Sequence, residues 1–255
     1  MLQVIAFLML FPISLAVLAL AYVLTIRLRK DKHDDEPAEA AFGLGQAAIF
    51  GLIALILGFS FAFASERYEA RRALVVDEGA VASRTYSRAD FLPTAERAPF
   101  RRGLHDYVEA RLDLYDFVTN AAEEDQTREH SQALWANLWA IANRAALRDP
   151  RNNLTSALAA DTLELNEVAE QQAAALDNHV PAAIIGLDLF CTVAGSLLLG
   201  VTFGRVKSPN FVLSIIFCLL FAATVFTIVD LDNGKRGFIR LETAPLQDTL
   251  GGMRP

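Results

Sequence analysis

Residues Gly43–Ala89 read GLGQAAIFGLIALILGFSFAFASERYEARRALVVDEGAVASRTYSRA. The stretch starts as an apolar run long enough to cross a bilayer, and no proline or turn signal interrupts it. At Glu66-Arg67 it becomes a charged amphipathic pattern while keeping its helical period. A helix advances about 1.5 Å per residue, so the unbroken element reaches on the order of 70 Å, against a hydrocarbon core of about 30 Å. Such a rod spans a membrane and continues into water. Repeated in an oligomer, it can line a path between two compartments.

The faces of the rod sharpen that expectation. At about 100° per residue, Ala47, Gly51, Ala54, Gly58, Ala62 and Ser65 share one narrow stripe, while Leu52, Ile56, Phe59 and Phe63 share another roughly 135° away. Small residues in register let helices approach closely in lipid, which makes Gly51, Ala54, Gly58 and Ala62 candidate helix-packing positions. If copies of the helix ring an axis, Leu52, Ile56, Phe59 and Phe63 form a pore neck of stacked apolar collars that gate by dewetting. The same alternation also suits ordinary packing against lipid or another helix.

The chain has 255 residues, is 53% hydrophobic and has a mean hydropathy of +0.31. That average conceals apolar ends and a polar middle. Apolar runs at Leu2–Ile26, Phe42–Ala64, Ala182–Phe203 and Phe211–Val229 each approach or exceed the roughly 20 residues a spanning helix needs. The first lacks the basic n-region of a signal peptide and is followed by Arg27, Arg29, Lys30 and Lys32, as a retained span would be. Pro12 within it is expected to kink the helix. The expected class is an all-α membrane protein with four transmembrane helices.

Between the second and third spans, helical patterns cover Ala98–Ala122, Gln126–Leu147 and a segment from Asn153 or Thr155 to Asn178. No alternating strand pattern appears there. With the water-borne half of the rod, these form a helical bundle of about 115 residues, enough for a modest core. The expected divisions are residues 1–65 for the first two spans, 66–180 for the bundle, 181–230 for the last two spans and 231–255 for a tail. The tail reads as extended and turn-rich, strapping the bundle or a neighbouring subunit. Trp135 and Trp139, one turn apart, suit core or subunit-interface anchors better than a ligand cage.

The polar residues narrow the function. The net charge of −7 gives no basic surface for nucleic acid. Arg67, Arg71, Arg72, Arg84 and Arg88 follow the second span, and Glu66, Glu69, Asp77 and Glu78 stand at helical spacing to pair with them. Such a cluster also suits lipid headgroups or draws anions to a pore mouth, where Glu66 and Arg67 would form a charged ring. Asp188, an ionisable group at membrane depth, is a functional candidate by default, although it lies near the start of its span. His33, Asp34 and Asp35 read as a solvated loop, and Cys191 and Cys218 lack metal-ligand spacing. Asp230, Asp232 and Asn233 offer part of an acidic loop without EF-hand spacing, a weak metal candidate. There is no nucleophile–base pair, phosphate-cradling glycine loop or metal quartet, so neither an enzyme nor a cofactor is expected. The charges of the short connectors, Arg27, Arg29, Lys30, Lys32, Arg205 and Lys207, mildly favour a bundle outside the cytoplasm.

Four spans, a helical domain between the second and third, and the string Glu66-Arg67-Tyr68-Glu69-Ala70-Arg71-Arg72 resemble the bestrophin channels. The likeness is stronger to the bacterial and plant bestrophin-like domain family, whose members carry a similar SRYEERR…LVVDEA segment. Here it reads Ser65 to Arg72 and Leu74-Val75-Val76-Asp77-Glu78-Gly79-Ala80. The tail is similar from Leu231-Asp232 through Gly237-Phe238-Ile239-Arg240 and at Pro245-Leu246. The resemblance implies a pentameric ion channel with a neck on the second helix, in a bacterial inner membrane with the bundle cytosolic, opposite to the charge reading. Its partners would be its own copies, the bilayer and inorganic ions. Two features depart from bestrophins: the tryptophan-rich motif is reduced to Tyr68, and the calcium clasp to Asp230 and Asp232. A non-conducting scaffold presenting the helical bundle to a partner is the alternative.

Overall fold

The computed structural model describes residues 2–28, 36–116, 121–205, 211–233 and 238–253. The expectations placed on His33, Asp34, Asp35, Arg29, Lys30, Lys32 and Lys207 fall outside these residues, as does Gly237 of the tail motif. The described residues contain helices and connecting turns but no strand, and four helices are long and apolar enough to cross a membrane. The helices are α1 (Leu2–Leu28), α2 (Glu36–Arg88), α3 (Thr94–Asp116), α4 (Ala121–Arg148), α5 (Asn153–Asp177), α6 (Ala182–Arg205), α7 (Phe211–Asp232) and α8 (Ala244–Gly252), with a short 3-10 turn at Ala89–Phe91.

The long helix is real, and it is longer than expected. α2 has 53 residues and starts at Glu36, seven positions ahead of Gly43. Pro37, expected to break the preceding connector, sits instead in its first turn, where a missing N–H costs nothing. α1 likewise runs as one helix through Pro12.

The chain divides into two compact units. The first comprises Met1–Arg67 and His179–Ile239, the second Tyr68–Asn178 and Arg240–Pro255. α2 contributes to both.

In the first unit α6 is the central element. A Cβ on Gly200 would lie 2.3 Å from the Leu18 carbonyl oxygen and 2.6 Å from Ala21 Cβ, and one on Gly204 would lie 2.6 Å from Thr25 Cβ. With Ser196 one turn earlier, this is a small-xxx-small-xxx-small edge that brings the backbones of α1 and α6 into contact. Leu18, Leu199 and Cys218 form the adjoining core with Phe11, Leu15, Phe50, Phe203 and Phe217 around them. Phe50 meets Phe217 edge-on at 5.1 Å. α2 joins through Ile53, Leu57, Ser60 and Ala64, all buried.

The second unit is a bundle of α3, α4 and α5 with the C-terminal part of α2. Its core includes Val75, Ala82, Phe100, Leu104, Tyr107, Leu138, Leu158 and Leu165. α5 is capped not by Asn153 or Thr155, where its start was expected, but by Asn152, whose Oδ1 accepts from Leu154 N at 3.0 Å. The tail is not wholly extended: α8 buries Leu246 completely, and Met253 just beyond it joins the same core. Thr249 Oγ1 donates to Gly79 O at 3.2 Å, and a Cβ on Gly79 would lie 3.1 Å from the Pro245 carbonyl. The tail therefore straps its own chain's α2.

Candidate functional site

The membrane part of α2 presents three faces. Ile53, Leu57, Ser60 and Ala64 face their own chain. Gly51, Ala54, Gly58 and Ala62 are exposed, and a Cβ on Gly51 or Gly58 would meet nothing within 4 Å. These candidate packing positions are thus left uncovered by their own chain; the close helix contact is made by Gly200 and Gly204, which sequence reasoning passed over although their Gly-x-x-x-Gly spacing was there to read. On the third face Leu52 is 57% exposed, Phe59 57% and Phe63 47%, while Ile56 is half-buried. By helical geometry the three faces stand roughly 100–135° apart. Glu66 is exposed at the end of the bulky face, and Arg67 is half-buried with an Nε that finds no acceptor.

The arginines beyond this point pair mostly across helices, which corrects the expectation of pairing along α2. Arg72 does reach Glu69 at 3.6 Å, and also Glu242 of the tail at 3.3 Å; the Glu242 hydrogen bond is the main reason its proton is held more tightly than usual. Arg84 and Arg88 bind Asp161 of α5 at 3.0 and 2.6 Å, and Arg84 also binds Glu164. Arg71 donates to the carbonyls of Ala175 and Asn178 at 2.9 and 3.0 Å, a cation on the unsatisfied C-terminus of α5. Tyr68 OH donates to Arg240 O at 3.2 Å. The Tyr68–Arg72 string thus holds both the end of α5 and the start of the tail against α2.

Glu78, which the spacing paired along its own helix, is instead buried against Arg111 of α3 at 2.6 Å. Gln172 accepts from both Arg111 and Tyr115, and its Nε2 donates to Leu74 O at 3.0 Å. Burial opposes the Arg111 charge, but Glu78 together with Tyr107 and Tyr115 more than offsets it and the guanidinium stays firmly protonated. Burial first, then Glu78, pushes the Tyr107 and Tyr115 hydroxyls above their ordinary range.

The remaining candidates have definite places. Asp188 is fully buried and accepts a hydrogen bond from Ser60 Oγ at 2.8 Å; its Oδ2 has no partner. Asp230 accepts from Phe238 N and Ile239 N at 3.1 and 2.8 Å. Asp232 accepts from Val180 N at 2.8 Å and contacts His179 Nδ1 at 3.2 Å. These two carboxylates are engaged with the chain itself, the tail in one case and the approach to α6 in the other. Trp135 and Trp139 stack at 6.4 Å, and Trp135 Nε1 donates to Thr162 O at 2.7 Å, so the pair serves as a bundle anchor. Beside it, Tyr107, Arg128, Ser131, Gln132, Asn166 and Ala169 line a cleft of mixed polarity of about 40 Å³, room for a few waters. His105, Asp106 and Glu109 are near enough to share a metal, but they lie on the outer side of α3, two of them exposed.

Comparison with known proteins fits this architecture. The family described as Bestrophin-like domain matches residues 12–246. A bacterial bestrophin homolog from Klebsiella pneumoniae, 16% identical, superposes with a TM-score of 0.69 over 99% of this chain and 99% of that chain. A variant of that homolog, 14% identical, gives 0.72 over 98% and 97%. A crystal structure described as a membrane protein variant, 15% identical, gives 0.69 over 95% and 97%. At these identities the likeness is one of fold. No functionally curated protein matches the sequence. Four apolar helices with this arrangement belong to an integral membrane protein. Because the family match spans both units and all four membrane helices, the chain is a member of the Bestrophin-like domain family.

Proposed function

We propose that the protein is a pentameric ion channel of the bacterial inner membrane, its helical unit in the cytosol and its neck formed by α2. The observation that carries this reading is the uncovered bulky face: Leu52, Phe59 and Phe63 stand exposed on a helix that packs into its own chain through a different face. Three faces suit three surroundings. One is covered by the chain itself, the small-residue face admits a neighbouring copy at close range, and the bulky face turns toward the axis with Ile56. Apolar collars of this kind control permeation by excluding water rather than by choosing ions. Selection falls to charged rings at the mouth, for which Glu66 and Arg67 are placed. The lack of any nucleophile–base pair in the sequence supports passive conduction over catalysis.

Reconstitution tests the proposal. Native mass spectrometry should give five copies, and proteoliposomes should pass ions, with Phe59→Ala and Phe63→Ala raising the flux several-fold. No flux from the native protein or either variant, or a dimer sealed along α2, would favour a scaffold instead.

A further inference from the structure

Asp188 of α6 meets Ser60 of α2 inside the first unit, away from the groups proposed for conduction. Its side chain is fully enclosed in the first unit. Ser60 Oγ donates to Oδ1 at 2.8 Å, and Oδ2 is equally withdrawn from solvent with no hydrogen-bond partner. The hydroxyls further along α6 do not turn to it: Thr192 donates to the Asp188 carbonyl at 2.9 Å and Ser196 to the Thr192 carbonyl at 2.8 Å. Of the titratable and charged groups on the surrounding helices, Cys191 stands one turn along α6, Glu66 and Arg67 lie beyond Ser60 on α2, Cys218 of α7 faces Ser196, Asp230 and Asp232 stand at the end of α7, and Tyr22 and Arg27 of α1 lie toward the other end of α6, around Gly204. Arg67 lies on the order of 10 Å beyond Ser60 along the helix. Asp230 and Asp232 are engaged by backbone N–H groups, and His179 by Asp232. No cation among the described residues pairs with Asp188.

A carboxylate oxygen buried without a hydrogen-bond partner favours a positive charge or a proton beside it. A hard metal ion wants about six oxygen ligands, whereas here one carboxyl and one hydroxyl converge. A proton needs a single lone pair, and Oδ2 offers one. We propose that Asp188 Oδ2 is a proton-binding site whose occupancy sets the strength of the α2–α6 contact. Protonation transfers a proton from bulk hydronium, one O–H bond breaking there, with release of water, as one forms on Oδ2. It converts the Ser60 hydrogen bond from a charge-assisted to a neutral one, and charge-assisted bonds are roughly twice as strong. Proton uptake thereby loosens α2 from α6 at Ser60, and release tightens it.

Infrared difference spectroscopy on the full chain in phosphatidylcholine vesicles reads the site directly. A carboxylic-acid C=O band should grow as pH is lowered and vanish as it is raised, shift on ¹³C-aspartate labelling, and be lost in Asp188→Asn. Ser60→Ala should keep the band and move it to higher frequency, which identifies the group even where Asp188→Asn fails to fold. A band unmoved by pH, or no band sensitive to Ser60→Ala at any pH at which the protein stays folded, overturns the proposal. A band removed by sodium at constant pH also overturns it, in favour of an alkali-cation site.

Discussion

Arg111 places its Nε 2.6 Å from Oε1 of Glu78, and both side chains are buried. The pair ties α2 to α3, and Gln172 extends the tie to α5. Removing one member leaves the other charged and unpaired in the core, which typically costs about 3–5 kcal/mol. Glu78→Leu should therefore lower the unfolding free energy by about that amount. The double variant Glu78→Leu with Arg111→Met should recover most of the loss, because no charge is then stranded. Denaturant titrations of the detergent-solubilised protein, followed by Trp135 and Trp139 fluorescence, check both.

Tyr107 and Tyr115 predict the alkaline limit of the second unit. Their hydroxyls hold protons more tightly in the folded chain than in the unfolded one. Stability from this source is complete below the unfolded value of about 10 and falls as pH rises beyond it, since the unfolded chain releases its protons first. Each tyrosine contributes a slope of about 1.4 kcal/mol per pH unit there. Melting curves between neutral pH and about pH 11 should show the decline, and Tyr115→Phe should remove close to half of it.

Gly200 has no room for a side chain. With the Leu18 carbonyl oxygen 2.3 Å from where Cβ would stand, even alanine must push α1 away from α6. Gly200→Ala should cost about 1–3 kcal/mol, the usual range for overpacking. Gly186→Ala on the same helix meets nothing within 4 Å and should be neutral or better. Thermal midpoints in one detergent compare the two.

What the sequence disclosed follows from how far each signal reaches. The apolar run at Phe42–Ala64 and its helical sequel declare α2 because every residue in them agrees. The four spans are legible for the same reason. α8 was not, since nine residues with two terminal glycines make a poor helix alone; it forms by docking Leu246 in the core and Thr249 on Gly79. Partners at a distance are equally hidden. Nothing in a string links Ser60 to Asp188 or Arg88 to Asp161, so spacing along α2 suggested local ion pairs where the fold supplies cross-helix ones. The Gly200–Gly204 signal was present, but Ala54, Gly58 and Ala62 offered a similar small-xxx-small pattern on a helix already singled out.

Asp230 yields the last prediction, which separates a structural carboxylate from a calcium ligand. Its two oxygens accept from Phe238 N and Ile239 N, fixing the chain that leads toward α8. Replacing it with alanine removes the acceptor of both N–H groups, and because Phe238 is exposed and Ile239 half-buried each bond contributes about 0.5–1.5 kcal/mol rather than the full penalty of a buried orphan. Asp230→Ala should thus lower the thermal midpoint and speed proteolysis at the start of the tail. Chelation of calcium should do neither, because the oxygens that would meet the ion are already aimed at the backbone. A midpoint that falls on chelation and is restored by added calcium would return Asp230 and Asp232 to the role of metal ligands. Asp232→Ala, which frees Val180 N at the approach to α6, should lower the midpoint without changing cleavage of the tail.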